Sequence, residues 1–218
     1  MELLRKIPLF SSLDDKQLTN VFNHGITKKF KKDEFVLRHR EEGDAMYLII
    51  KGSVKLTLFN EDGKILVLST LSQGDFFGEL SLLDDKLRSC TVIVASDCEL
   101  FILTRTLFFA LIKESPAMTF SILKEMTVRL RKASSKMGSL ALLDVYGRIV
   151  QLLYEIANDV GEVTEDGYMI DKLPTHEELA NIVGATRESV SRVISNIKKT
   201  GLLKYSKDRK ILLRKKIL

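Results

Sequence analysis

The sequence predicts an α+β protein with an N-terminal antiparallel β-roll of jelly-roll type, a long helix, and a C-terminal winged helix-turn-helix domain. Short apolar runs broken by Gly and Asp-Gly turns fill the first half. A stripe with alternating three- and four-residue steps follows Pro116. A capped helix, a Gly turn, a second helix and a basic hairpin then close the chain. The expected boundaries are 1–115 for the roll, 116–143 for the helix and 144–218 for the last domain.

Five strand-like runs occupy the segment from about Phe35 to Leu103: Met46–Ile50, Val54–Phe59, Ile65–Leu68, Thr91–Val94 and Leu100–Leu103. Asn60-Glu61-Asp62-Gly63-Lys64 reads as a hairpin loop, because Asp-Gly supplies the positive backbone angles of a tight turn. A leading helix, roughly Ser12 to Asn23, takes Ser12 or Asp14 as its N-cap. After Pro116, Leu123, Met126, Leu130, Ala133, Met137 and Leu140 form a narrow stripe bordered by Lys124, Arg129, Arg131, Lys132 and Lys136. Two readings fit that stripe: a coiled-coil seam joining two copies of the chain, which the charged borders favour, and an amphipathic helix packed on its own domain. Asp144 caps the next helix, and a weak hairpin spans Gly161 to Leu173. Thr175-His176-Glu177-Glu178 is a capping box for a helix ending at Gly184. The following helix, Arg187 to Thr200, turns Val190, Val193, Ile194 and Ile197 inward.

Composition narrows the function classes. Of the 218 residues, 45% are hydrophobic and 29% charged, the balance of an ordinary folded protein. No apolar run approaches bilayer length. Met1-Glu2-Leu3-Leu4-Arg5-Lys6 lacks the layout of a secretory signal, and Cys90 and Cys98 are the only thiols, so a reducing, cytoplasmic setting is expected. The net charge of +5 is unevenly spread: from Thr186 to the end there are eleven basic residues against two acids, whereas the first 185 residues are net negative. Such a tail suits a polyanion or is simply a solvated basic face.

The second helix of the last domain favours the polyanion. Arg187, Glu188, Ser191 and Arg192 share one face at its start, where a recognition helix meets base edges. Arg presents a fork to guanine and Glu accepts from the cytosine amino group. Each good bidentate pair is worth about 1–3 kcal/mol of discrimination. Glu188 is the informative residue, because an anion gains nothing against phosphates. The bland alternative is a Glu–Arg surface pair worth roughly 0.3–0.5 kcal/mol. Lys198, Lys199, Lys204, Lys207, Arg209 and Lys210 are candidate phosphate contacts.

In the first half, Gly74-Asp75-Phe76-Phe77-Gly78-Glu79-Leu80 followed by Arg88-Ser89 carries the chemistry of a ribose-phosphate clamp. Gly78 lets backbone amides approach an anion, Arg88 pairs with a phosphate, Ser89 donates to it, and Glu79 accepts from a sugar hydroxyl. Alternatively, Glu79 and Arg88 form a structural ion pair. Catalysis lacks an inventory: His24, His39 and His176 are scattered, and no carboxylate cluster suggests a hydrolytic metal site.

Three ordered segments, Phe77–Leu80 with Arg88-Ser89, Gly138–Val145 with Gly147–Ile149, and Thr186–Arg192, make the chain resemble the CRP/FNR family of bacterial transcription regulators, that of the cyclic-AMP receptor protein. The resemblance implies a homodimer that binds double-stranded DNA, with a cyclic nucleotide in the roll and RNA polymerase as a candidate partner. It places Gly78 and Ser89 near the phosphate, Arg88 on it, Glu79 on the ribose, and Leu68, Ser69, Leu80 and Arg129 among the ligand-binding residues. The receptor's adenine-binding Thr-Ser pair reads Ala133-Ser134 here, and one lost neutral hydrogen bond costs about 0.5–1.5 kcal/mol, or roughly two- to thirteen-fold in affinity. Cyclic AMP is the foremost effector, with cyclic GMP or another nucleotide open. The resemblance adds Thr186 and Ser189 to the DNA-facing set. It implies a palindrome of TGTGA-like half-sites read by helices about 34 Å apart, with Ser191 an FNR-like departure. An iron-sulfur cluster and haem are not expected, since the FNR cysteines are absent and no histidine lies near the pocket segment. A constitutive DNA binder, or one answering another ligand, is the competing reading.

Overall fold

The computed structural model describes residues 5, 7–205 and 210–214. It contains two compact units, Met1–Arg131 and Lys132–Leu218, and the division falls inside the long helix.

In the first unit the chain runs through α1 (Asp15–His24), β1 (Ile26–Phe30), β2 (Phe35–Leu37), β3 (Ala45–Phe59), β4 (Ile65–Ser72), β5 (Phe76–Phe77), α2 (Leu80–Leu83), β6 (Thr91–Thr104), α3 (Arg105–Glu114) and the start of α4 (Pro116–Leu142). The strands form an antiparallel six-stranded sheet in the order β1-β6-β3-β4, with β2 on β6 and β5 on β3. Asp14, not Ser12, caps α1: its carboxylate accepts from the Gln17 N–H while the Gln17 side chain returns to the Asp14 N–H.

Two pairs of runs predicted as separate strands are single strands. Met46–Ile50 and Val54–Phe59 merge into β3, and Thr91–Val94 and Leu100–Leu103 merge into β6. Gly52 reads as a breaker in sequence, yet at φ 86° it forms a bulge where the β3–β6 register shifts. A side chain there would strike the Asp97 carbonyl at 2.4 Å. Alternation along the merged strands separates two cores. Met46, Leu48, Phe101 and Leu103 pack against Leu18, Phe108, Met118 and Ile122 from the helices, whereas Ile49, Val54, Val92 and Leu100 pack with Phe77.

The residues of the stripe on α4 differ in burial. Met118, Ile122 and Met126 pack on the first unit's own core. Leu123, Leu130 and Met137, seven residues apart, are 57%, 66% and 62% exposed.

The second unit contains α5 (Val145–Val160), β7 (Glu162–Val163), β8 (Gly167–Ile170), α6 (His176–Val183), α7 (Arg187–Lys199), β9 (Leu203–Tyr205) and β10 (Ile211–Arg214). Its antiparallel sheet has the order β7-β8-β10-β9. The core joins Ile149, Leu153, Leu179, Val190, Ile194, Ile197 and Leu213. Local signals set the helix ends: Asp144 accepts from the Gly147 N–H, Thr175 and Glu178 close a capping box, and Gly184 ends α6 at φ 69°, ψ 50°. That left-handed residue favours glycine and turns the chain sharply into α7. No single helix among the described residues is long and apolar enough to cross a membrane.

Candidate functional site

The clamp residues converge on one small recess, lined by Gly78, Glu79, Arg88, Ser89 and Arg129 on its polar side and by Leu37, Leu56, Leu80 and Val92 on its apolar side. β5 and α2 deliver Gly78, Glu79 and Leu80, and the turn before β6 delivers Arg88 and Ser89. Arg88 is 4% exposed and donates to two carbonyls, those of Gly78 at 2.7 Å and Ala45 at 2.8 Å. It forms no ion pair among the described residues, and its Nε has no partner. Gly43 makes room for it, since a Cβ there would lie 2.3 Å from the guanidinium carbon. Gly78, at φ 84°, is similarly required: a side chain would press on the same guanidinium at 2.9 Å. Burial lowers the Arg88 pKa, but a guanidinium remains charged. The cation is thus buried with an unused Nε–H donor and, among the described residues, no carboxylate partner.

Glu79, 3% exposed, pairs with Arg129 rather than Arg88: Arg129 Nη1 donates to Oε1 at 3.2 Å. The alternative reading, a structural pair between Glu79 and Arg88, is not realised among the described residues. Oε2 of Glu79 is buried without a partner. Burial raises the Glu79 pKa, against the opposing pull of Arg129. Arg129 itself is held by Glu125 at 3.0 Å, by the Phe76 carbonyl at 2.6 Å and by stacking over the Phe76 ring at 4.6 Å. It connects α4 directly to the recess.

Leu68 and Ser69 lie on β4 and do not line the recess, though Ser69 pairs with Leu56, which does. Ala133 and Ser134 are exposed on α4. Sequence reasoning did not single out Leu37, Leu56, Cys90 or Val92, which line the recess from β2, β3 and the start of β6. Their only sequence signal is the alternation of the strands.

On α7, Arg187, Glu188, Ser191 and Arg192 are all exposed, and none of the three charged residues forms an ion pair with another described residue. The Glu188–Arg192 surface pair is thus absent. Thr186 and Ser189 are committed locally: Thr186 Oγ1 accepts from the Ser189 N–H at 3.2 Å, and Ser189 Oγ lies 3.0 Å from Thr186 Oγ1 and 3.4 Å from Arg192 Nη2. They build the helix start and orient Arg192. Lys198 stacks over the β9 ring of Tyr205 at 4.6 Å, and Lys210 pairs with Asp171 at 3.1 Å. Lys199 and Lys204 are exposed, whereas Lys207 and Arg209 lie outside the described residues. Among the described residues no group of three or more His, Cys, Asp or Glu side chains could hold a metal.

A model of the cyclic nucleotide-binding domain matches residues 27–115, and a model of the Crp-like helix-turn-helix domain matches residues 147–216. Over 190 residues the chain is 34% identical to the cAMP-activated global transcriptional regulator CRP of Salmonella typhimurium, covering 87% of this chain and 90% of that one. Among solved structures, a CRP/FNR-family transcriptional regulator of Thermus thermophilus matches with a TM-score of 0.68 at 26% identity, over 87% of this chain and 94% of that one. The c-di-GMP responsive global regulator CLP of Xanthomonas campestris shares the fold, with a TM-score of 0.78 at 24% identity over 93% of this chain and 100% of that one. With a nucleotide-binding roll and a Crp-like DNA-binding domain in this order, the chain belongs to the CRP/FNR family of transcriptional regulators, which are not enzymes.

Proposed function

We propose that the chain is a cyclic-nucleotide-gated regulator that takes cyclic AMP in the recess and, as a homodimer, binds a palindrome of TGTGA-like half-sites. The observation that carries the first part is the pair of buried, unpartnered atoms on the recess wall, Nε of Arg88 and Oε2 of Glu79. One is a cationic donor and the other an acceptor. A cyclic phosphate joined to a ribose hydroxyl presents the complement of both. Arg88, Gly78 and Ser89 would hold the phosphate, and Glu79 the ribose. Arg129, bonded to Glu79 from α4, supports a route by which occupancy of the recess bears on the long helix. An allosteric effect requires only that the nucleotide favour one setting of that helix.

The exposed residues Leu123, Leu130 and Met137 support dimerisation, since three large apolar side chains at heptad spacing suit a second copy of the same stripe. For DNA, Arg187, Glu188 and Arg192 remain available for guanine and cytosine edges, and exposed Lys199 and Lys204 for phosphates. RNA polymerase as a partner and a cytoplasmic setting belong to the same reading.

Calorimetric titration with cyclic AMP and cyclic GMP, combined with binding to a TGTGA palindrome with and without nucleotide, tests the proposal. Cyclic AMP is expected to bind and to raise DNA affinity. If neither nucleotide binds while the palindrome is bound unchanged, the chain is a constitutive regulator or answers another ligand. Leu130→Asp should produce monomers in sedimentation and weaken palindrome binding. An intact dimer would refute the seam.

A further inference from the structure

Arg105 opens α3, and its side chain reaches back to the far end of α2. Nη2 donates to the Ser81 carbonyl at 3.0 Å, while Nη1 donates to the Asp85 carboxylate at 2.6 Å and approaches the Leu82 carbonyl at 3.5 Å. Its backbone N–H donates to the Asp44 carbonyl at 2.6 Å, next to Ala45, whose own carbonyl accepts from Arg88. One residue therefore joins the start of β3, the end of α2 and the turn leading to Arg88.

A four-residue helix cannot sustain itself. Nucleation is costly, isolated helices shorter than roughly 12–15 residues are marginal in water, and the last carbonyls of any helix lack intrahelical donors. In α2 the carbonyls of Glu79 and Leu80 receive N–H groups from Leu82, Leu83 and Asp84. Ser81 and Leu82 offer the next two carbonyls, and these are the ones Arg105 faces. A cation at this end also complements the helix dipole. At the opposite end Arg88 holds the Gly78 carbonyl. The segment is thus pinned by two guanidinium groups from different elements, with Glu79 and Ser81 between them on the wall of the recess. Asp85 adds a further sign of constraint: its φ of 56° is unfavourable for a residue with a side chain, and its carboxylate is bound to Arg105.

We infer that Arg105 is a positioning residue for the nucleotide site: it orders the 78–85 segment in advance, so that the ligand meets its donors and acceptors without first organising them. The inference rests on reading the recess as a cyclic-nucleotide site. Arg105 does not line the recess, so its effect on affinity must travel through α2.

Arg105→Met in the full chain keeps the length of the side chain and removes its donors. Hydrogen exchange at residues 79–84, measured without nucleotide and with saturating cyclic AMP, is the primary readout. Calorimetric affinity is the second. The expected result is faster exchange at 79–84 in the unliganded variant only, affinity for cyclic AMP weakened about ten-fold, and partial recovery of both in Arg105→Lys, which restores a cation and a donor. Unchanged exchange at 79–84 would overturn the inference. So would acceleration spread evenly over β3 and β6, which would mark loss of the whole roll. Failure of the wild-type chain to bind either cyclic AMP or cyclic GMP would instead refute the proposed ligand, and the unliganded exchange comparison would then decide by itself whether Arg105 orders α2.

Discussion

The two candidate sites hold their charges in opposite ways. In the recess, Arg88 and Glu79 are 4% and 3% exposed, and each is tied to the fold, one through the carbonyls of Gly78 and Ala45 and the other through Arg129. On α7, Arg187, Glu188, Ser191 and Arg192 stand in solvent without ion pairs among the described residues. The recess is therefore part of the structure that supports it, and removing a side chain there is expected to disturb folding and, on the proposed function, nucleotide binding together. The exposed face of α7 is a decorated surface on a core of Val190, Ile194 and Ile197, where side chains are expected to change recognition at little cost to the fold. A buried site can use strong, desolvated electrostatics. An exposed one relies on geometry and on many weak contacts.

Arg88→Met should show the largest effect. It removes two charge-assisted hydrogen bonds, leaves the Gly78 and Ala45 carbonyls without that donor, and takes from the recess the cation that has no carboxylate partner among the described residues. Each hydrogen bond to a charged group contributes about 1.5–3 kcal/mol, so urea unfolding of the first unit should weaken by several kcal/mol, and binding of cyclic AMP should vanish from calorimetry. Glu188→Ala, by contrast, should lower affinity for the palindrome by about 1–3 kcal/mol per half-site and relax choice at one base pair. Its unfolding free energy should stay within about 0.5 kcal/mol of wild type. Equal stability losses in the two variants would break the contrast. Thr186→Ala lies between the classes, since it removes the α7 cap that orients Ser189 and Arg192. A loss of about 0.5–2 kcal/mol from the second unit is expected, together with weaker DNA binding that keeps its base preference.

The same contrast explains what the sequence reveals. Asp14, Asp144, Thr175 with Glu178, Gly184 and Thr186 all act on backbone within four residues, so their roles as helix caps and stops are visible in local pattern. The exposed face of α7 is legible for the same reason, because a helical repeat alone brings Arg187 and Ser191 together. The recess depends on contacts over long separations: Arg88 with Ala45 across 43 residues, and Arg129 with Glu79 across 50. Nothing local marks those partners, and the bland alternative for Glu79, an ion pair with Arg88, takes the arginine nearer in sequence. Gly52 misled in the same way. Its local signature is a strand break, whereas pairing with β6 at Lys51 and again at Ser53 carries the strand past it. The helix Arg105–Glu114 went unread because its run from Leu107 to Ile112 is apolar on nearly every side, which leaves no clear period.

Titration of Glu79 offers the smallest and sharpest test. Its carboxylate is buried against Arg129 from α4 and Arg88 from the neighbouring turn, with Glu125 acting on it as a like charge and the Cys90 thiol beside it on the recess wall, and burial dominates to raise its pKa. The unfolded chain releases this proton near the ordinary carboxylate value, while the folded chain still holds it. Between those two points the native state binds more protons, so this group's contribution to stability declines as pH rises. Glu79→Gln removes the titration but keeps an oxygen for Arg129. The difference in unfolding free energy between the Glu79→Gln variant and wild type should therefore grow in favour of the variant as pH rises above about 4.3, then level off once the native carboxyl has ionised. Affinity for cyclic AMP should move the other way in wild type alone, improving over the same interval as the neutral acid becomes a carboxylate acceptor. Urea unfolding at stepped pH with parallel titrations measures both, and parallel stability curves for the two proteins would show that Glu79 is solvated like the residues of α7.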